Sequence, residues 1–246
     1  MPTAGTIGEV KDIVRTHFGL TQFPTTMLDQ ALAEGRRIIE NHGNFWWMRG
    51  RKDFSLTVGT NEYSVISSVS PGLGLTNFKD GKAITWALLG STRFEPAEYG
   101  TIEEEEVEII YDTDNEGSPE IVILKDETLH FYPPEPDAAY QIRFYHWSYT
   151  TNPQLNTASD VLTKRFPMAL AYAGIIWGYE MVVKDFQAAS YFRSLLGGVP
   201  FGRGGELAKI KSQNFKRGWQ DKVDFTPRLG PGIRFRRRLD NVQIYR

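Results

Sequence analysis

The sequence contains no cysteine. This excludes a disulfide framework and a thiol nucleophile. It contains no apolar run near the roughly 20 residues that a membrane span needs. The first residues, MPTAGTIGEV, carry neither a basic stretch nor an apolar one, so no secretory leader is expected and synthesis inside the cell is. Histidine is scarce: His17, His42, His130 and His146 are scattered, with no HExxH spacing, so no metal site is expected. There is no phosphate loop, because Gly81-Lys82 lacks both the first glycine and the following hydroxyl. The glycines of 197–205 do not spell GxGxxG, and no GxSxG elbow occurs. Glu103 and Glu106 are carboxylates near each other, but a glycosidase needs a set separation across a cleft, which an acidic run does not supply. No enzyme activity and no cofactor are therefore expected.

The chain has 246 residues and a net charge of −2, which argues against a generally nucleic-acid-binding surface. That length is one large domain or two small ones. The charge is unevenly placed. From Arg203 onward 12 basic residues face 4 acidic ones, a surplus of +8, which leaves −10 for residues 1–202. Such asymmetry marks an interaction tail.

Thr6-Ile-Gly-Glu9 spells a capping box, and Ile7, Val10, Ile13 and Val14 follow at helical spacing until Gly19. A second helix is expected from Thr25 or Thr26, with Met27, Leu28, Ala31, Leu32, Ile38 and Ile39 as its stripe and Gly43 as its stop. Asn44–Met48 is expected to be extended, with Trp46 and Trp47 pointing opposite ways, one into the core and one toward an interface. Lys52–Val58 and Glu62–Ile66, joined by Gly59-Thr-Asn61, are expected to form a hairpin. Residues 67–81 read as a loop, and Ala83–Leu89 and Thr92–Phe94 as strands. Glu95–Glu98 reads as a short helix start, with Pro96 at its first position. The run Glu103, Glu104, Glu105, Glu106 is a solvated face or a negative surface toward a basic partner or a DNA passage. Ile109–Tyr111 and Pro119–Leu124 read as strands.

Thr128–Trp147 organises the middle of the chain. It has two extended, aromatic-rich runs around Pro133, Pro134 and Pro136, which must lie at a sheet edge or outside it. After a polar link, Asp160 or Thr163 suits an N-cap and Pro167 a first turn. Met168–Val182 is apolar nearly all round, as in a helix buried on most sides. Its small residues Ala169, Ala171, Ala173 and Gly174 permit close approach of neighbours. Asp185–Leu196 and Glu206–Trp219 read as further helices. The expected fold class is α+β: an α-helical bundle from the N- and C-terminal helices, an inserted, mostly antiparallel β-sheet domain and an extended C-terminal arm. The expected boundaries are 1–45, 46–150, 151–221 and 222–246.

The arm holds Arg228, Arg234, Phe235, Arg236, Arg237 and Arg238, with Ile244 and Tyr245 near the end. Arginines interleaved with aromatics suit docking into an acidic groove on another protein. They also suit phosphate contacts, so a nucleic-acid-binding protein is the alternative reading. A carbohydrate-binding β module with exposed Trp46 or Trp47 is a third.

The order of these elements resembles the head-to-tail adaptor (connector or tail tubular) proteins of tailed bacteriophages. The resemblance covers most of residues 6–217. It rests on the helix pair ending in Asn44–Trp47, the strands of Lys52–Val65, and the segment Leu129–Tyr132, Pro133-Pro134, Pro136-Asp137, Tyr140–Tyr145. Phe166-Pro-Met-Ala-Leu-Ala-Tyr-Ala, opening the long helix, completes it. The resemblance implies a structural virion protein, made in the host cytoplasm, with no catalysis and no membrane. It implies a ring of twelve copies below the portal, with DNA passing through the lumen and the C-terminal segment reaching the portal. The other end would meet the next tail or nozzle protein. On that picture Trp46 or Trp47 supplies subunit contacts, and Glu103–Glu106 face the channel or a neighbouring ring.

Overall fold

A computed structural model describes residues 5–19, 25–100, 116–151, 155–197 and 204–224. Among them are six α-helices and a large, curled, mostly antiparallel sheet, an α+β fold. The helices are α1 (Ile7–Phe18), α2 (Thr25–Asn41), α3 (Val161–Arg165), α4 (Pro167–Trp177), α5 (Phe186–Gly197) and α6 (Glu206–Asp224). The strands are β1 (Arg49–Leu56), β2 (Glu62–Ser64), β3 (Phe78–Leu88), β4 (Glu95–Tyr99), β5 (Glu116–Gly117), β6 (Ile121–Lys125), β7 (Thr128–Tyr132), β8 (Glu135–Pro136) and β9 (Tyr140–Ser148).

Both ends of the chain build one helical core. The capping box forms as expected: Glu9 N–H donates to Thr6 Oγ1 at 3.3 Å, and Thr6 N–H donates to Glu9 Oε2 at 2.9 Å. Gly19, with φ of +74°, ends α1. Asp160 caps α3 reciprocally with Thr163, and Pro167 opens α4. The expected all-round burial holds over α4, with Ala169, Leu170, Ala171, Ala173, Gly174, Ile175 and Ile176 enclosed, but not to the end of the expected stretch, where Met181 is exposed. α4 packs on α2, α1 and α5. The small residues let α2 come close: a Cβ on Gly35 would sit 2.7 Å from the Gly174 nitrogen. The helical path then breaks. Gly178–Val183 widens into a π turn, and Lys184, at φ of +63°, reverses the chain into α5. At its other end α6 continues to Asp224, three residues past the boundary expected for the arm.

The strand order is β1-β9-β3-β4-β6-β7-β2, and β5 pairs β8 as a separate two-stranded ribbon. Every junction in the large sheet is antiparallel except β4–β6. Leu56, Ile84, Ile142, Phe144, Leu129, Phe131 and Tyr63 fill the inside of the curl.

Five local expectations change. The hairpin of Lys52–Val58 and Glu62–Ile66 does not form: β1 pairs β9, and β2 pairs β7. Alternation marks a half-buried strand but does not name its partner. β1 and β2 are the two outermost strands, and the turn between them spans the mouth of the curl. Phe54 packs on Tyr63 at 5.2 Å, and the Thr57 N–H donates to the Tyr63 hydroxyl at 3.0 Å. Trp46–Met48 is a 3-10 turn, not a strand. The loop expected over 67–81 ends at Phe78, where β3 begins.

Glu95–Glu98, expected to start a helix, is the strand β4, and the strand expected at Thr92–Phe94 begins at Glu95 instead. Pro96 fits there for a specific reason. Glu98 and Gly100 donate toward β6, so alternation puts the Pro96 nitrogen on that same side. The β4–β6 ladder reaches only Glu98 and Tyr99, so no ladder bond is asked of Pro96.

Candidate interaction surfaces

The helical layer and the sheet are joined by buried charge. Arg36 and Glu40 lie one turn apart on α2, 2% and 0% exposed, on the same side as Leu28, Leu32 and Ile39. The Arg36 guanidinium donates to Asp160 and, at 3.0 Å, to Thr150 Oγ1. Glu40 accepts from the Thr150 hydroxyl at 2.5 Å, the Thr150 N–H at 3.1 Å and the Trp47 indole at 3.2 Å. Lys79 of β3 donates to the Glu40 carbonyl and, at 2.7 Å, to the Gly43 carbonyl, closing the end of α2. Charges this deep hold only when paired and hydrogen-bonded. The network therefore fixes where the sheet sits on the helices. Beside it opens a cleft of about 500 Å³, lined by Trp47, Leu75, Thr76, Thr151, Asp160 and Val161 among others.

Both tryptophans singled out in the sequence are half-buried and contact the chain's own elements. Trp47 stacks on Phe45 with centroids 4.7 Å apart and leans on Phe166 at 6.1 Å. Trp46 turns to α6: its N–H donates to Asn214 Oδ1 at 2.9 Å, and the Arg217 guanidinium lies 3.9 Å above its ring. Arg228, Arg234, Phe235, Arg236, Arg237, Arg238, Ile244 and Tyr245 lie outside the described residues, as do Glu103, Glu104, Glu105 and Glu106.

Sequence reasoning missed Arg36 and Glu40. The signal was present: two charges four apart on the stripe of Leu28, Leu32 and Ile39. It also missed the apolar surface at the α4–α5 reversal, where Met181 and Phe186 are 56% and 67% exposed.

The histidines stand apart. A His17 ring nitrogen lies 2.9 Å from the Tyr179 hydroxyl, His146 is enclosed in the sheet beside Phe144, and burial pushes both below the usual imidazole range. Among the described residues no group of three metal-ligating side chains occurs, and no helix is long and apolar enough to cross a membrane.

The arrangement is thus a helical layer pinned to a curled sheet by buried, hydrogen-bonded charge. The family model of the SU10 adaptor protein matches residues 5–203. The chain belongs to the SU10 adaptor family. This is a tailed-phage head-to-tail adaptor family, so the chain is a structural adaptor of the virion that contacts other head–tail proteins. The match covers both helical ends and the whole sheet, and stops before α6. No curated protein matches the chain.

Proposed function

We propose that this SU10-family adaptor forms a ring of twelve copies below the portal and continues the DNA channel toward the tail, without catalysis. The match over residues 5–203 carries this reading. Two further features support it. A ring needs head-to-tail contacts between unlike surfaces of identical chains, which a rigid scaffold can present. The basic, aromatic-bearing stretch from Arg228 to Tyr245 follows α6, outside the family match, where a docking element specific to one portal is free to vary.

In this reading Arg228, Arg234, Phe235, Arg236, Arg237, Arg238, Ile244 and Tyr245 dock to the portal. Glu103–Glu106 face the channel or a neighbouring ring, where negative charge keeps DNA from sticking. The exposed parts of Trp46 and Trp47 adjoin the next copy, and the distal end of the ring receives the next tail component. The test is truncation after Asp224. The shortened chain is expected to stay folded by circular dichroism and to lose co-sedimentation with its portal. Undiminished co-sedimentation would remove the arm from the docking role.

A further inference from the structure

The curled sheet is electrically divided along its strand order. β1, β9 and β3 carry Arg49, Arg51, Lys52, Lys79, Lys82 and Arg143 against Asp53 and Asp80, six minus two, or +4. Residues 116–137, which hold β5 to β8, carry six acidic residues against Lys125, or −5. Those six are all exposed, and Glu62 of β2 lies exposed on the same side of the sheet order.

The basic half presents an outer face. Phe54, Ile84, Ile142 and Phe144 point into the core, so their neighbours along each strand point out. Register places Arg51 opposite Tyr145, and Tyr145 opposite Ala83; the register shift between Gly81 and Ala83 takes Lys82 out of the alternation and leaves it exposed. Arg143 stacks its guanidinium on Phe94 at 3.5 Å, and Lys82 lies over the Trp147 ring at 5.6 Å. Arg51 and Lys82 are exposed, while Arg143 and Tyr145 are half-buried. Asp53 shares this face, pairing with Arg51 at 3.0 Å and lying in register with Arg143, so Arg51, Lys82 and Arg143 leave a net +2 there; Asp80 accepts from Asn44 at 3.1 Å. Arginine and tyrosine on a solvent-facing sheet are the residue types that interfaces favour.

The acidic half has a matching feature. In the β5–β8 ribbon Glu116 is in direct register with Glu135, and both are exposed. Neighbouring strands lie about 4.8 Å apart, so two like charges are held side by side at a cost. A cationic surface laid on the ribbon would relieve that repulsion.

We propose that the β5–β8 ribbon of one copy seats on the outer face of β1, β9 and β3 of the next. Glu116 and Glu135 then meet Arg51, Lys82 and Arg143 around Tyr145. The occupant is a second copy because each chain carries both complementary surfaces, which is the requirement for a contact that closes a ring. The inference rests on the ring reading and supplies its subunit contact.

Charge reversal in the full-length chain tests it. Variant one is Arg51→Glu with Lys82→Glu; variant two is Glu116→Lys with Glu135→Lys. Circular dichroism checks that each is folded, and mass photometry follows assembly. Each variant alone is expected to need on the order of tenfold more protein to assemble, since several exposed ion pairs become repulsions. An equal mixture is expected to recover assembly, because each ribbon then finds a face of opposite sign. The absence of native cysteine makes a second readout clean. An Arg51→Cys chain mixed with a Glu135→Cys chain should give a disulfide-linked pair that neither gives alone.

Wild-type-like assembly of both variants, or no recovery and no cross-link on mixing, overturns the contact while leaving the ring intact. A wild-type chain that stays monomeric, alone and with portal, overturns the ring and this contact together. Salt-dependent DNA binding that disappears in variant one, with assembly unchanged, assigns the face to nucleic acid and also overturns the proposal.

Discussion

Gly35→Ala isolates the packing of the helical layer, because two effects of opposite sign act at one atom. In an exposed helix interior, alanine in place of glycine stabilises by about 1 kcal/mol through backbone entropy. Gly35 is not exposed. Its added Cβ would lie 2.7 Å from the Gly174 nitrogen and 3.0 Å from the Ala173 carbonyl carbon, both backbone atoms of α4. Backbone cannot rotate away as a side chain can, so α2 and α4 must separate. The contact they lose is the centre of a core holding Leu32, Ile39, Leu170 and Ile176. Overpacking of this kind costs about 1–3 kcal/mol. Because the clash is with backbone, the upper part of that range, about 2–3 kcal/mol, applies, and subtracting the propensity gain of about 1 kcal/mol leaves a net loss of roughly 1–2 kcal/mol. Gly197→Ala is the control, because a Cβ at the end of α5 meets nothing within 4 Å. That change should be neutral or slightly stabilising. Urea denaturation of the three proteins, followed by far-ultraviolet circular dichroism, reads both signs. If Gly35→Ala proved as stable as Gly197→Ala, the close approach of α2 and α4 would not exist as described.

Two further outcomes follow from the junction and the sheet. Arg36→Met should destabilise by about 2–4 kcal/mol in urea, since it strands Asp160 and Thr150 without their donor. The exposed Arg51→Met should change stability by under about 1 kcal/mol, because a surface pair contributes little. For pH, burial holds the imidazole of His146 below its ordinary value of about 6.5. The folded chain therefore binds this proton less readily than the unfolded one. Its contribution to stability is present above pH 6.5 and declines as pH falls below that value toward the folded pKa. His17 and His42 shift in the same direction. Thermal unfolding between about pH 7.5 and 5 should show the decline, with a shallower slope in His146→Asn; identical slopes would remove His146 as a contributor.

Local chemistry was legible in the sequence, and long-range pairing was not. Thr6 with Glu9 acted as written, because a cap needs only residues within one turn of itself; of the alternatives Asp160 and Thr163, Asp160 is the cap, but of the short helix α3, while Pro167 opens a separate helix behind Phe166. The small-residue side of α4 announced a close neighbour, although only the fold supplied Gly35 as that neighbour. The β1–β2 hairpin failed for the complementary reason. Its turn was real, with the Thr60 N–H donating to the Thr57 carbonyl at 3.1 Å, but the chain crosses the mouth of the curl instead of pairing back. Pro96 misled because its fixed φ suits both a first helical turn and a strand position that owes no ladder bond.

Charge shows the same limit from another side. Read along the chain, residues 1–202 carry a net −10, and the basic surplus lies in the tail. Folding re-sorts them. β1, β3 and β9 are separated by some 20 to 50 residues in sequence yet lie side by side, and their scattered lysines and arginines become one basic half of a sheet. The acidic residues stay together because β5 to β8 are consecutive. A linear count therefore finds the acidic surface and misses the basic one. The consequence for assembly is direct. A uniformly acidic body would repel its own copies, whereas a divided one attracts them in a single orientation and loses that preference as salt screens it. Assembly of the wild-type chain should accordingly weaken between about 50 and 500 mM salt, and a contact made by exposed apolar residues such as Met181 and Phe186 would strengthen over the same range.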